Sequence, residues 1–329
     1  MPDLSLVAAL VGGLVLLAFA GDFLVAGAVS IAQRLGVSPL VAGIFIVGFG
    51  TSAPEMVVAI DAAIKGVPSI ALGNIVGSNI ANVWLVLGLP ALIAPLAAGA
   101  YGERRALVAM LIVTALWIGL SAFMPLHSGV GLLFILLLVA YAIYTFMATS
   151  RDAGRGVDVE IDEEDTLSLP RTIAYILIGI VGLPVGAHLI VEGGVGIARQ
   201  FDVPEHIIGL TLIAIGTSLP EIGAGIAAAM RGRASVLIGN VLGSNIFNIL
   251  GAGGLAALFA NTGDGPLVVS RSFHAYDHWA MALAALTVAF FIITRTQISR
   301  LVGVLLLLIY ALYIAGLTQG WDILAIFGA

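Results

Sequence analysis

Two glutamates carry the chemistry this sequence could do. Glu55 closes the run Gly50-Thr51-Ser52-Ala53-Pro54-Glu55, and Glu221 closes Gly216-Thr217-Ser218-Leu219-Pro220-Glu221. A second polar run follows each: Gly73-Asn74-Ile75-Val76-Gly77-Ser78-Asn79-Ile80-Ala81-Asn82 and Gly239-Asn240-Val241-Leu242-Gly243-Ser244-Asn245-Ile246-Phe247-Asn248. Equivalent residues all stand 166 positions apart. A charge at the centre of a membrane helix costs roughly 2.5–3.5 kcal/mol on insertion scales, so a carboxylate kept there twice at one offset marks a site that uses it.

The neighbours supply further oxygens. Thr51 and Ser52 lie four and three residues before Glu55, on its face of a helix, as Thr217 and Ser218 do for Glu221. Asn74, Ser78 and Asn82, then Asn240, Ser244 and Asn248, recur every four residues and make a polar stripe on each following helix. Pro54 lacks an N–H and crowds the carbonyl four residues back, so its helix is expected to open around Gly48 to Thr51; Pro220 predicts the same around Ala214 to Thr217. Carbonyls freed at membrane depth are tolerated where they line a cavity or bind something. The donor set is all oxygen, which suits hard cations: calcium takes about six to eight such ligands at flexible geometry, and sodium, similar in size, could use subsets. Two buried carboxylates match the charge of one calcium or of several sodium ions, and an empty site would keep an uncompensated buried charge. Cycling one ion for the other is easier than returning empty, which is the logic of an antiporter.

The elements that position these residues are membrane helices. The chain of 329 residues is 60% hydrophobic and 10% charged, with a mean hydropathy of +1.14, outside the range of soluble domains. Apolar runs long enough to span fall near 4–33, 38–64, 70–98, 105–125, 129–149, 171–200, 206–230, 235–260, 275–294 and 301–319. The fold class expected is an all-α polytopic membrane protein of ten transmembrane helices. The N-terminal run, with no Lys or Arg before it, reads as the first of them and not as a signal peptide.

Residues 40–89 align without gaps on 206–255, with about 20 of 50 positions identical, an internal repeat. Five helices, an odd number, separate equivalent points, so the second copy enters the membrane from the opposite side and the repeats are inverted, an arrangement that puts a shared site at the midplane. The organisation predicted is an N-terminal five-helix repeat over 1–149 (paired motif 43–89), an acidic cytoplasmic linker over 150–170, and a C-terminal five-helix repeat over 171–329 (paired motif 209–255). Gly73 with Gly77 and Gly239 with Gly243 are GxxxG pairs that predict close helix packing. Arg34, Arg104, Arg105, Arg151, Arg155, Arg171, Arg231, Arg233, Arg295 and Arg300 fall on one side of these spans and only Lys65, Arg199 and Arg271 on the other. The positive-inside rule then puts both termini on the non-cytoplasmic side, in a membrane expected to be the prokaryotic plasma membrane.

The remaining polar residues are less specific. Asp158, Glu160, Asp162, Glu163, Glu164 and Asp165 make a solvated block. Asp22, His188 and Glu192 lie inside apolar stretches, either along an access path or in a hydrated vestibule. Asp61, four residues before Lys65, predicts a helix-end pair. His127, His206, His274 and His278 read as interfacial. There is no cysteine, and the dispersed basic residues exclude a nucleic-acid surface. A serine hydrolase using Ser52 or Ser218 with His188 is disfavoured because the serines are duplicated and the histidine is not; no enzyme, no cofactor and no obligatory oligomer is expected.

The paired Gly-Thr-Ser-x-Pro-Glu and Gly-Asn-x-x-Gly-Ser-Asn-x-x-Asn segments resemble the α-repeats of sodium/calcium exchangers in the cation/calcium antiporter superfamily, especially prokaryotic members. The resemblance covers nearly the whole chain. It implies that helices 1 and 6 slide against the rest during alternating access. It also implies that Glu55 and Glu221 coordinate calcium, with backbone carbonyls of Thr51 and Thr217, and that sodium draws on Ser52, Ser78, Ser218 and Ser244 and on the carbonyls of Gly48 and Ala214. Asn82 and Asn248 would stand at the centre; branches of the family, some of them potassium-dependent, carry Asp where this chain has Asn248, which argues against potassium co-transport here. About three sodium ions per calcium is typical of the family and would make the exchange electrogenic. Proton/calcium exchange is the alternative coupling, although that branch has a different glutamate motif.

Overall fold

The computed structural model describes residues 3–153, 167–201, 216–260, 265–271 and 273–321. The acidic run, His206 and Ala214 lie outside them. The described residues form an all-helical protein: α1 (Leu4–Leu35), α2 (Pro39–Ile64), α3 (Pro68–Ile93), α4 (Glu103–Phe123), α5 (Ser128–Thr149), α6 (Leu169–Gln200), the shorter α7 (Leu219–Met230), α8 (Ala234–Ala260), α9 (Phe273–Thr294) and α10 (Arg300–Gln319). Among the described residues, nine of these are long and apolar enough to cross a membrane. Loops begin where the backbone demands glycine: Gly36 and Gly320, at φ 63 and 66, end α1 and α10 in the left-handed conformation that lacks a Cβ penalty. The helices bearing the two polar stripes are the most enclosed, with 83% of the apolar window of α3 and 89% of that of α8 buried, against 22% for α1 and 17% for α5. The stripes thus sit at the centre of the protein.

α1 and α6 pack antiparallel along their lengths, through small residues. A Cβ on Gly13 would lie 2.8 Å from the Gly186 carbonyl, and Gly179 meets Ala20 and Leu24. A Cβ on Gly193 would lie 2.6 Å from the Leu6 carbonyl, and one on Gly27 would lie 3.2 Å from the Thr172 carbonyl. Shifting each number by 166 turns Gly13/Gly186 into Gly179/Ala20, and Gly193/Leu6 into Gly27/Thr172. One crossing geometry is therefore used twice, head to tail, as inverted copies of a sequence require. Backbones this close gain dispersion contacts that lipid tails would not replace.

The helix bearing Pro54 departs from expectation. α2 does not unwind between Gly48 and Thr51: Gly43–Gly48 forms a π-helical turn and the helix continues through Pro54 to Ile64. The π turn ends six residues before the proline, and the segment bearing Pro54 stays α-helical, so the rod survives. In the second copy Thr217 and Ser218 do form a turn, and Pro220 sits in the first turn of α7, where its missing N–H costs nothing. The second GxxxG pair packs as its spacing predicts, with a Cβ on Gly239 placed 2.5 Å from the Leu40 carbonyl and one on Gly243 2.6 Å from that of Ile44. Gly73 and Gly77 make no such approach among the described residues; the positions equivalent to Leu40 and Ile44, residues 206 and 210, lie outside them.

Candidate ion site

α2 and α7 carry Glu55 and Glu221 into the interior, where each is 1% exposed. None of the four carboxylate oxygens has a hydrogen bond of normal geometry among the described residues, although the Thr51 side chain stands close enough to interact with Glu221, and the two glutamates stand within electrostatic reach of each other. Ser52 Oγ, Asn82 Oδ1 and both polar side-chain atoms of Asn248 are likewise buried without partners there. An unsatisfied buried polar group costs about 1–3 kcal/mol and a charge costs more. Such groups persist together where a ligand satisfies them, and a ligand for so many oxygens is a cation.

Hydrogen bonds tie three of the elements, α2, α3 and α8, around these oxygens. Thr51 Oγ1 reaches Asn240 Oδ1 at 3.3 Å and the Gly48 carbonyl at 3.4 Å, and Ser244 Oγ reaches the same two acceptors at 3.3 and 3.4 Å. Asn74 Nδ2 donates to the Glu55 carbonyl at 2.9 Å, and Asn82 Nδ2 donates to Asn245 Oδ1 at 3.0 Å. α2, α3 and α8 are thereby held in register. Ser218 is 1% exposed, Ser78 5% and Ser244 0%, while Thr217 is half-buried and lines a cavity with Ser78. Of the predicted ligands, Ala214 alone lies outside the described residues.

Comparison with known proteins identifies the architecture. The model of the family described as "Sodium/calcium exchanger protein" matches residues 5–149 and 171–319. The chain belongs to that family. Relatives of the exchanger include the putative antiporter CaxA of Alkalimonas amylolytica, 34% identical with 92% of this chain and 95% of the relative covered. The sodium/calcium exchanger MaX1 of Methanosarcina acetivorans is 31% identical, with 92% and 95% covered. Among solved structures, the sodium-calcium exchanger NCX_Mj superposes with a TM-score of 0.80 at 30% identity, covering 96% of this chain and 99% of that one.

Other polar residues resolve into pairs. Asp22 of α1 accepts two hydrogen bonds from Arg231, at 2.5 and 2.9 Å, and so is tied to the end of α7. Lys65 bonds Asp61 at 2.7 Å, as its spacing predicts, and the exposed His188 faces Glu192 at 3.8 Å rather than a serine. His127 Nδ1 accepts from the Gly129 amide, and His274 and His278 face each other with Nδ1 atoms 3.1 Å apart. Sequence reasoning passed over two buried carboxylates: Glu103, 0% exposed at the start of α4 and accepting from the Gly99 amide at 2.7 Å, and Asp277, 6% exposed in α9 and hydrogen-bonded by the Tyr313 hydroxyl at 2.8 Å. The signal available for Asp277 was a carboxylate at the start of an apolar run with tyrosines at 310 and 313.

Proposed function

We propose that the exchanger moves sodium one way and calcium the other by alternating access, extruding calcium electrogenically. The observation that carries this reading is the set of four buried carboxylate oxygens of Glu55 and Glu221 that no described residue satisfies. In this reading they bind calcium with carbonyls of Thr51 and Thr217. Sodium binds alongside through Ser52, Ser78, Ser218, Ser244 and the carbonyls of Gly48 and Ala214, and Asn82 and Asn248 stand between. The halves 1–149 and 171–329 act as inverted repeats joined by the linker 150–170, with both termini on the non-cytoplasmic side of a plasma membrane. The antiparallel α1–α6 pair slides over α2 and α7 to open one side at a time.

Proteoliposomes loaded with sodium and diluted into sodium-free buffer are expected to accumulate radioactive calcium, and an inside-negative potential should slow that uptake if more than two sodium ions leave per calcium. Uptake that needs a pH gradient and ignores sodium would replace this reading with proton/calcium exchange. Because the chain has no cysteine, single-cysteine variants at Lys65 and Ser299 test orientation directly: an impermeant thiol reagent outside cells should label the first only.

A further inference from the structure

A cavity of about 370 Å³ adjoins the ion site, and its polar lining comes from Asn74, Ser78, Thr217, Asp277, Tyr310 and Tyr313. The first three belong to the paired motifs; the last three come from α9 and α10, to which the exchange reading assigns nothing. Asp277 is held in place: Tyr313 donates to its Oδ1, the Tyr313 ring stacks on Tyr276 with centroids 5.6 Å apart and planes 9° apart, and the Tyr276 hydroxyl donates to the Tyr313 carbonyl at 3.0 Å. Among the described residues no Lys, Arg or His forms an ion pair with it. A carboxylate in a membrane span without a cationic partner is a functional group in search of a cation, and this one shares its cavity with ion-site residues.

The cavity is tied to one face. Asp277 lies at the start of α9, just after Arg271, and Asn74 and Ser78 lie two to three turns into α3, just after Lys65. Six spans separate Lys65 from Arg271 in the ten-helix arrangement, an even number, so both flank the same side.

We propose that Asp277 is a cation-staging site: on the Lys65/Arg271 face it captures a hydrated calcium or sodium ion and passes it along Thr217, Asn74 and Ser78 to Glu55 and Glu221. All the polar atoms along that path that accept a cation are oxygens, the donor class hard cations take. A focused negative charge in a low-dielectric cavity raises the local cation concentration and the rate of entry. The inference rests on the exchange reading, and it predicts a sidedness that the central pair of glutamates, reached from both faces, does not.

The test uses the full chain in sealed right-side-out and inverted membrane vesicles, with sodium-gradient-driven calcium uptake measured against calcium concentration on each face. Asp277→Asn should raise half-saturating calcium on the Lys65/Arg271 face about tenfold, within the range electrostatic focusing supplies, and leave the other face unchanged; Asp277→Glu should stay near wild type. An unchanged Asp277→Asn, or an equal loss on both faces, overturns staging, the latter because it marks a structural role. Wild-type vesicles without sodium-driven uptake would instead defeat the exchange reading and this inference with it. If Asp277→Asn does not reach the membrane, Tyr313→Phe decides: a weakened half-saturation on the Lys65/Arg271 face alone supports staging, and no shift or a two-sided one overturns it.

Discussion

The two copies of Gly-Thr-Ser-x-Pro-Glu have nearly the same sequence and different structures. In the first, Pro54 lies inside a continuous helix behind a π-helical turn, and Asn74 ties down the Glu55 carbonyl. In the second, Thr217 and Ser218 turn, Pro220 starts a new helix, and Glu221 stands in its first turn; the equivalent amide, Asn240 Nδ2, has no partner among the described residues, and its Oδ1 faces Thr51 instead. The leading glycines differ as well. Both are covered by α6, Gly50 by Ile180 and Gly216 by Val191, whereas a strict twofold would set α1 over one wherever it set α6 over the other. Residue types shared by the copies set the chemistry, and the neighbours set each backbone. An exchanger that opens to one side at a time needs that inequality, since a fully symmetric arrangement would treat both faces alike.

The largest effect should come from the glutamates. Glu55→Gln and Glu221→Gln each remove half the charge facing a divalent ion, and breaking a buried ionic pairing costs about 3–5 kcal/mol, so exchange should fall ~100-fold or more in either variant. Full activity in one would show the carboxylates are not a pair. Without ions the order reverses: each substitution relieves a buried unpaired charge and should raise the thermal midpoint. The rise should be greater for Glu55→Gln, because Glu221 already gains about 0.3–1 kcal/mol from the helix N-terminus it occupies. Differential scanning fluorimetry in calcium- and sodium-free buffer reads the difference.

The prolines sharpen the contrast. Pro54→Ala restores an N–H for the Gly50 carbonyl inside a helix, where proline costs about 3 kcal/mol. The variant should be more stable and, by removing a free carbonyl beside Thr51, about tenfold slower, a loss of ~1.4 kcal/mol in transition-state stabilisation. Pro220→Ala changes a first-turn position whose N–H has no partner anyway, so its exchange should stay within about twofold, under 0.5 kcal/mol by the same relation. Equal losses would mean the two breaks are equivalent.

Much of this was legible in the sequence, and the limits have physical causes. The all-helical fold and the approximate extent of its long helices follow from hydropathy because backbone groups in lipid must be satisfied within a helix. Glu55 and Glu221 stood out because a membrane carboxylate is costly and here occurs twice. The opposite sense of the copies followed from counting spans, and the Gly13/Gly186 and Ala20/Gly179 contacts are its imprint. Tertiary contact decided the rest. Proline predicts a disturbed helix but not whether the helix runs on through it, as at Pro54, or begins beside it, as at Pro220. Asp22 could not be paired with Arg231, 209 residues away, nor Asp277 with Tyr313, from spacing on a single helix.

Glycine packing offers a smaller test of the inequality. Gly243→Ala would force a methyl to within 2.6 Å of the Ile44 carbonyl, and overpacking of this kind costs about 1–3 kcal/mol. Gly77→Ala meets nothing within 4 Å among the described residues, so it should gain up to about 1 kcal/mol of helix propensity. Thermal midpoints should therefore move in opposite directions. If both fall equally, Gly77 is as closely packed as Gly243, and the two crossings are alike after all.

The smallest effect is expected at the ends of the α1–α6 pair, which also differ. At one end Asp3 caps α1 by accepting from the Ser5 amide at 3.0 Å and hydroxyl at 2.9 Å, while its own amide donates to Gln200 Oε1 at 2.9 Å. At the other end Arg34 donates to the Leu167 carbonyl, a contact without a titrating acceptor. The hydrogen bonds from Ser5 hold the Asp3 carboxyl below its ordinary value of 3.8. A depressed carboxyl contributes order that is present above the unfolded value and lost as pH falls through the folded one. Hydrogen exchange at the Ser5 amide should thus lose protection on acidification below that value while the Arg34 end keeps its own. Asp3→Ala should lack that protection at every pH, and Asp3→Asn, which keeps an acceptor without a charge, should retain part of it with no acid transition. A Ser5 amide equally protected at both extremes of pH would make the cap irrelevant and leave Gln200 as the group that secures this end.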